Sequence, residues 1–161
     1  MESEESRSAE HIAKSHLKTW LIVVETHHRV CAAFASSLKE LDLTSAQHEL
    51  LANLLVAEGG LTQNQLAELL LVTKGNITGL VKRLEKRELV QRESDPDDRR
   101  KNNVTLTKEG ARLAKLSLAK QQELVDGVFG ELSMEDEKQL REYMKLLEVG
   151  TKKYSKSTGF S

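Results

Sequence analysis

Apolar residues recur at helical spacing along the opening stretch of the chain. From about His11 to Leu41 they fall at Trp20, Val23 and Val24, Val30 and Cys31, Phe34, Leu38 and Leu41, a 3.6-residue period. A helix of about 30 residues is long for a small domain, so the pattern predicts packing against more than its own chain. Residues 1–9 are polar and predict a frayed start. Thr44-x-x-Gln47 reads as a capping box and opens a helix carrying Leu50, Leu51, Leu54 and Leu55, which Gly59-Gly60 ends. A second box, Thr62-x-x-Gln65, opens a short helix with Leu66, Leu69 and Leu70. Thr73 can cap a third, whose apolar stripe is Ile77, Leu80, Val81 and Leu84. Three capped helices, the last two joined by a tight turn, predict a helix-turn-helix.

Leu89–Arg92 and Asn103–Leu106 alternate partially at period two and read as short strands. Between them, Glu93 to Asn102 contains Asp-Pro-Asp-Asp-Arg-Arg-Lys. A hairpin directly after the third helix is a wing. Thr107 caps a long helix (Leu113, Leu116, Leu124, Val128), and Ser133 caps another with Leu140, Tyr143, Met144 and Leu147 at 3/4 spacing. From Gly150 the period stops, which predicts a loose tail. The expected fold is mainly α: a winged helix-turn-helix with long N- and C-terminal dimerisation helices. Its segments are an N-terminal arm and dimerisation helix (1–41), the winged body (42–106), C-terminal dimerisation helices (107–149) and a flexible tail (150–161). The terminal helices carry more apolar face than a body of about 70 residues can cover. A twofold dimer would bury that face and set two recognition helices ~10 bp apart. If the same helices folded back on their own body, the chain would be a monomer.

Composition changes this picture in one respect. The 161 residues hold 24 Lys and Arg against 25 Asp and Glu, so the net charge of −1 gives no overall basic signal. The distribution is uneven. Residues 74–101 carry nine basic and six acidic side chains, net +3, while the remainder is net −4. Positive charge therefore gathers on the third helix and the wing, where phosphates would sit. The single cysteine, Cys31, excludes an internal disulfide, and its apolar neighbours predict a buried, inert thiol. The acidic N-terminus lacks a secretion signal and no apolar run approaches the roughly 20 residues of a membrane span, so the cytoplasm is the expected location. No G-x-S-x-G, P-loop or H-E-x-x-H motif points to an enzyme. No cofactor is expected, and no metal, since adjacent His27 and His28 point about 100° apart on a helix and chelate poorly.

With Ile77, Leu80, Val81 and Leu84 facing inward, Gly75, Gly79, Lys82 and Lys86 face outward, flanked by Asn76, Thr78 and Arg83. Asparagine pairs bidentately with adenine, and threonine meets a base edge or a thymine methyl. Lys82 and Arg83 suit phosphates, which fix register without reading sequence. The helix starts at Thr62–Gln65, with Gln63, and at Thr73–Asn76, with Lys74, offer unpaired N–H groups and a positive dipole end suited to phosphates. Two outward glycines cost about 1 kcal/mol each relative to alanine. Either close backbone approach to a groove floor or simple tolerance by a packed helix accounts for them. In the loop, Arg99, Arg100 and Lys101 provide an arginine for a narrow minor groove. The partner these features fit is double-stranded DNA.

The run Asp95-Pro-Asp-Asp-Arg-Arg-Lys-Asn-Asn-Val-Thr-Leu-Thr-Lys-Glu-Gly110 resembles the wing signature of the MarR family of transcriptional regulators. Leu80-Val-Lys-Arg-Leu-Glu-Lys-Arg-Glu-Leu-Val-Gln-Arg92 resembles that family's recognition helix and first wing strand. The resemblance spans roughly Leu41 to Leu113. It implies a homodimer on a pseudo-palindromic operator, with the wing's aspartate at Asp98 and its minor-groove arginine at Arg100. It also implies release of DNA on binding a small aromatic or phenolic anion between the dimer helices and the body, near Trp20, His27 and Cys31. Some relatives sense peroxide through a cysteine near the start of the first helix, but Cys31 falls about two and a half turns later. One departure is Glu88, where the family usually has glycine; a left-handed backbone there would store about 1 kcal/mol. The competing reading is a winged-helix adaptor that binds proteins and not specific DNA.

Overall fold

The computed structural model describes residues 4–57, 59–94 and 102–159, with side chains for 12–57, 59–93 and 103–159. Helix α1 (Glu4–Leu38) continues into a 3-10 turn (Lys39–Leu41). Helix α2 (Ser45–Val56), strand β1 (Leu61–Thr62), helices α3 (Gln63–Leu69) and α4 (Lys74–Lys86), and strands β2 (Val90–Ser94) and β3 (Asn102–Leu106) follow. Helices α5 (Lys108–Phe129) and α6 (Met134–Thr158) complete the order. The chain divides into two compact units, Met1–Gln122 and Glu123–Ser161.

The helix starts lie where the polar pattern puts them. At α2, Thr44 accepts from Gln47 N and the Gln47 side chain accepts from Thr44 N; Thr62 with Gln65 and Ser133 with Asp136 repeat this box. The Ser133 hydrogen bonds hold the Asp136 carboxyl below its ordinary pKa. The helix ends are less regular. Three non-glycine residues, Asp42 (φ 51), Leu71 (φ 53) and Glu88 (φ 56), adopt left-handed backbone. Each closes a Schellman turn: Leu43 N donates to Leu38 O, Val72 N to Ala67 O, and Leu89 N to Leu84 O. The apolar pairs that accompany such turns are present, and Leu38, Leu43, Leu84 and Leu89 are buried. Glu88 thus has the left-handed backbone that makes its departure from glycine costly.

The core of the first unit comprises Leu38, Leu50, Leu51, Leu54, Leu66, Ile77, Val81, Leu84, Val90, Val104 and Leu113, among others. Each buried leucine or isoleucine contributes about 1.5–3 kcal/mol. All four stripe residues of α4 are buried. On α3 the reading is corrected: Leu69 is exposed and Ala67 takes its inward place beside Leu66. At α3's length of seven residues, only one turn packs inward. On α5 the buried positions are Gly110, Leu113, Ala114 and Ser117, and Leu116 and Val128 are exposed.

The wing hairpin pairs Val90 with Leu106 through Ser94 with Asn102, longer by a residue or two than the alternation suggests. A third strand, β1, which the pattern does not announce, adds to the other edge of β3 by pairing Leu61 with Val104. Gly60 makes it possible: its φ is +81 and a Cβ there would lie 2.5 Å from the Val104 carbonyl. Thr107 anchors the return. Its hydroxyl donates to Glu88 O (2.7 Å) and accepts from Gly110 N (3.0 Å). Gly110 is obligatory, because a Cβ would stand 1.8 Å from Leu89 O.

Both chain ends are more helical than the sequence suggests. The helix α1 backbone begins at Glu4, since residues 4–11 contain no glycine or proline to interrupt it. Helix α6 runs past Gly150 to Thr158, which corrects the expectation of a loose tail at 150–161. An interior glycine costs only about 1 kcal/mol, and the Glu148–Lys152 pair and the Thr151-to-Leu147 hydrogen bond bridge it. The helix stops at Gly159, left-handed at φ 68.

Candidate nucleic-acid interface

The described side chains singled out for DNA lie on β1, α3 and α4 and at the α4 cap, all within the first unit. Thr73 caps α4 by accepting from Asn76 N at 3.3 Å, which leaves other first-turn N–H groups of the helix to face outward. Thr62 is occupied by its own box, accepting from Gln65 N and donating to Gln65 Oε1 at 2.8 Å. Beside α4 is a concavity of about 330 Å³ where Gly75, Asn76, Gly79 and Arg83 meet Glu49 of α2. A Cβ on Gly75 or Gly79 would meet nothing nearer than 4.0 and 3.9 Å respectively. No packing among the described residues demands glycine at either position, so the strip is smooth on its open side.

The basic residues divide into two sets. Arg87 is spent on Asp42, donating to its carbonyl (2.6 Å) and pairing with its carboxylate (3.2 Å). Arg92 pairs with Glu85 at 2.8 Å. Lys74, Lys82, Arg83 and Lys86 form no ion pair with any described residue. These four stand on the helix whose opposite stripe is buried, which is the distribution a phosphate-facing helix requires.

Gln63 and Thr78, expected separately as DNA contacts, are brought together. The Thr78 hydroxyl has one proton and donates it to Lys74 O at 2.8 Å. The Gln63 amide therefore turns its nitrogen to Thr78 (2.8 Å) and its oxygen to Arg92, 3.2 Å from both Nη1 and Nη2. Sequence reasoning passes over Arg92 in this role, because its partners come from two other elements and no local spacing joins them. The wing residues Asp98, Arg99, Arg100 and Lys101 lie outside the described residues.

On α1, Trp20 is 58% exposed. Cys31 corrects the expectation of a buried thiol: it is exposed, with Sγ 3.4 Å from His27 Nε2. Its neighbours Ala32 and Ala33 are exposed as well, and α1 joins the core of the first unit only at Phe34 and Leu38. His27 and His28 place their ring centroids 5.9 Å apart. Among the described residues no group of three or more His, Cys, Asp or Glu gathers as a metal site. None of the described helices is long and apolar enough to cross a membrane.

The histidine that the sequence does not single out is His48. It is buried between α1 and α5, with Nδ1 2.9 Å from Ser117 Oγ and its ring edge-on to Phe34 at 4.9 Å. Burial lowers its pKa below the ordinary imidazole value, against the opposing effects of Gln121 and Glu49.

Comparison with known proteins agrees with this geometry. A sequence model of the MarR family matches residues 41–101. The HTH-type transcriptional repressor NicR of Pseudomonas putida is 39% identical over 89 residues, covering 55% of this chain and 56% of NicR, so the chain spans little more than half of that relative. The transcriptional regulator HosA of Escherichia coli is 31% identical over 96 residues, covering 60% of this chain and 70% of HosA. Among solved structures, the Staphylococcus aureus MepR–DNA complex superposes with a TM-score of 0.73 at 26% identity, over 82% of this chain and 96% of that one. With this fold, this match over the winged body and these relatives, the chain belongs to the MarR family and is a DNA-binding transcriptional regulator.

Proposed function

We propose that this regulator is a ligand-responsive repressor, working in the cytoplasm as a homodimer on a pseudo-palindromic operator. Helix α4 enters the major groove with Gly75 and Gly79 against its floor and Asn76 reading a base edge. Lys74, Lys82 and Arg83 hold phosphates, as do the helix starts at Thr62–Gln63 and Thr73. Asp98, Arg99, Arg100 and Lys101 serve the wing, with Arg100 in the minor groove. The observation that carries this reading is the set of four basic residues on α4 that pair with no described residue, opposite a fully buried stripe.

Residues 1–41 and 107–149 supply the dimer contacts around the winged body at 42–106. In support, no described side chain of Glu123–Ser161 is buried, although Leu140, Tyr143, Met144 and Leu147 stand at helical spacing. A small aromatic or phenolic anion is the effector, approached by the exposed Trp20, His27 and Cys31 of α1.

The test is binding to a duplex from upstream of the protein's own gene, against random DNA, at two salt concentrations and with a panel of phenolic anions. Specific, salt-sensitive binding that one anion abolishes is the expected result, and Arg100→Ala is expected to weaken it by about 1–3 kcal/mol without unfolding the protein. Equal weak binding to both duplexes would sink this reading in favour of a protein-binding adaptor.

A further inference from the structure

We propose that Arg92 is a positioning residue, the clamp that sets how α4 is presented to DNA by tying together the first turn of α3, the body of α4 and wing strand β2. The inference rests on the reading that α4 and the wing bind DNA, and deepens it. Arg92 extends from β2 and grips Glu85 of α4 with two donors, Nε to Oε1 at 2.8 Å and Nη2 to Oε2 at 3.3 Å. The outer edge of the same guanidinium faces the Gln63 amide oxygen at 3.2 Å from both Nη1 and Nη2, and the Gln63 amide nitrogen reaches Thr78. Thr78 closes the chain on the α4 backbone at Lys74 O.

Three consecutive elements thus share one polar relay. An arginine suits the junction because its planar fork meets a carboxylate on one edge and an amide oxygen on the other; a lysine has no such geometry. The pair is half-sheltered, with the Arg92 and Glu85 side chains 40% and 29% exposed, so water screens it less than the ion pairs along α6.

The relay reassigns two residues. Gln63 has both ends of its amide engaged, and Thr78 has its hydroxyl engaged. Only the Thr78 methyl remains for a base, and Gln63 acts through Arg92. Arg92 itself, with four of its five N–H donors committed to Glu85 and Gln63, is a poor phosphate ligand, unlike Lys82 and Arg83. The clamp explains why α4, whose other charged residues are all basic, carries one acidic residue: Glu85 is there to hold Arg92.

Neutralising Glu85 has an effect whose sign depends on whether it holds a clamp. Removing a negative charge beside a DNA-binding face tightens binding if charge alone matters. If Glu85 holds the clamp, Glu85→Gln loosens it. The measurement is affinity of the full chain for the promoter duplex and a random duplex across a salt series, for wild type, Glu85→Gln, Arg92→Ala and Arg92→Lys. The clamp predicts about tenfold weaker promoter binding for each variant, little change on random DNA, and a salt slope equal to that of wild type. Glu85→Gln combined with Arg92→Ala should be no worse than Arg92→Ala alone. Tighter binding by Glu85→Gln overturns the clamp, as does a salt slope reduced by about one phosphate in Arg92→Ala. Should Arg92→Ala fail to fold, Glu85→Gln decides the matter alone, since it preserves shape. A wild type that binds neither duplex overturns the regulatory reading and the clamp with it, whereas promoter-specific wild-type binding with the wrong sign in Glu85→Gln overturns only the clamp.

Discussion

Leu50, Leu51, Ile77, Val81 and Leu84 of the first unit stand at helical spacing and are fully buried. Leu140, Tyr143, Met144 and Leu147 of the second stand at the same spacing and remain 39–57% exposed. The two sets are indistinguishable as sequence patterns. What separates them is cover. Helices α2, α3 and α4 are short, capped and connected by tight turns, so each is returned onto the others and onto the wing sheet. The second unit consists of one helical turn-around, and two helices cannot enclose each other's stripes. A period of 3.6 therefore identifies an apolar stripe, and the connections decide whether the chain itself buries it. An apolar surface this extended on α6 fits an interface with a second copy.

This contrast can be broken by substitution. Ile77→Ala should cost about 2–5 kcal/mol at any protein concentration, read from urea unfolding of the full chain. Leu147→Lys should instead lower self-association by about 10²-fold, read by sedimentation equilibrium. If Leu147→Lys destabilised the protein identically at high and low concentration, the stripe on α6 would be an ordinary core and the distinction would fail.

A smaller effect sharpens it from the other side. Glu88→Gly relieves a left-handed backbone in the winged body and should raise the unfolding free energy by about 1 kcal/mol, with no change in self-association. A glycine variant no more stable than wild type would mean that the added freedom of glycine in the unfolded chain cancels the relief of strain.

The mildest test is pH. Burial depresses the His48 pKa in the folded state, so above about pH 6.5 both folded and unfolded imidazoles are neutral and the body has its full stability. As pH falls below that value, the unfolded chain takes up a proton first and stability declines until the folded His48 titrates. Urea midpoints should drop between about pH 7.5 and pH 5.5 in wild type and drop less in His48→Asn. Parallel curves would remove His48 as the source.

Much of the fold is legible before any coordinates. The boxes at Thr44 and Thr62, the caps at Thr73, Thr107 and Ser133, and the α4 stripe are local features, in which a hydroxyl satisfies an N–H three residues away or a side chain repeats every turn. The wing arrives with its two strands because alternation is local as well. Strand β1 is not legible: it is two residues long and depends on Gly60 leaving room against Val104. Nor is the end of α6, because Gly150 resembles a stop and the next turn supplies its own hydrogen bonds. The candidate interface divides along the same line. Its outward face follows from 100° per residue, whereas the pairing of Arg87 with Asp42 and the Arg92–Gln63–Thr78 relay join residues far apart in the chain.

The three Schellman turns closed without glycine have a consequence for how this protein can change. An aspartate or glutamate codon becomes a glycine codon by a single nucleotide substitution, while every leucine codon requires two. Under selection for heat resistance, replacements at Asp42 and Glu88 are within reach of the first round of random mutagenesis, and Leu71, 92% exposed and equally left-handed, lies a round further away.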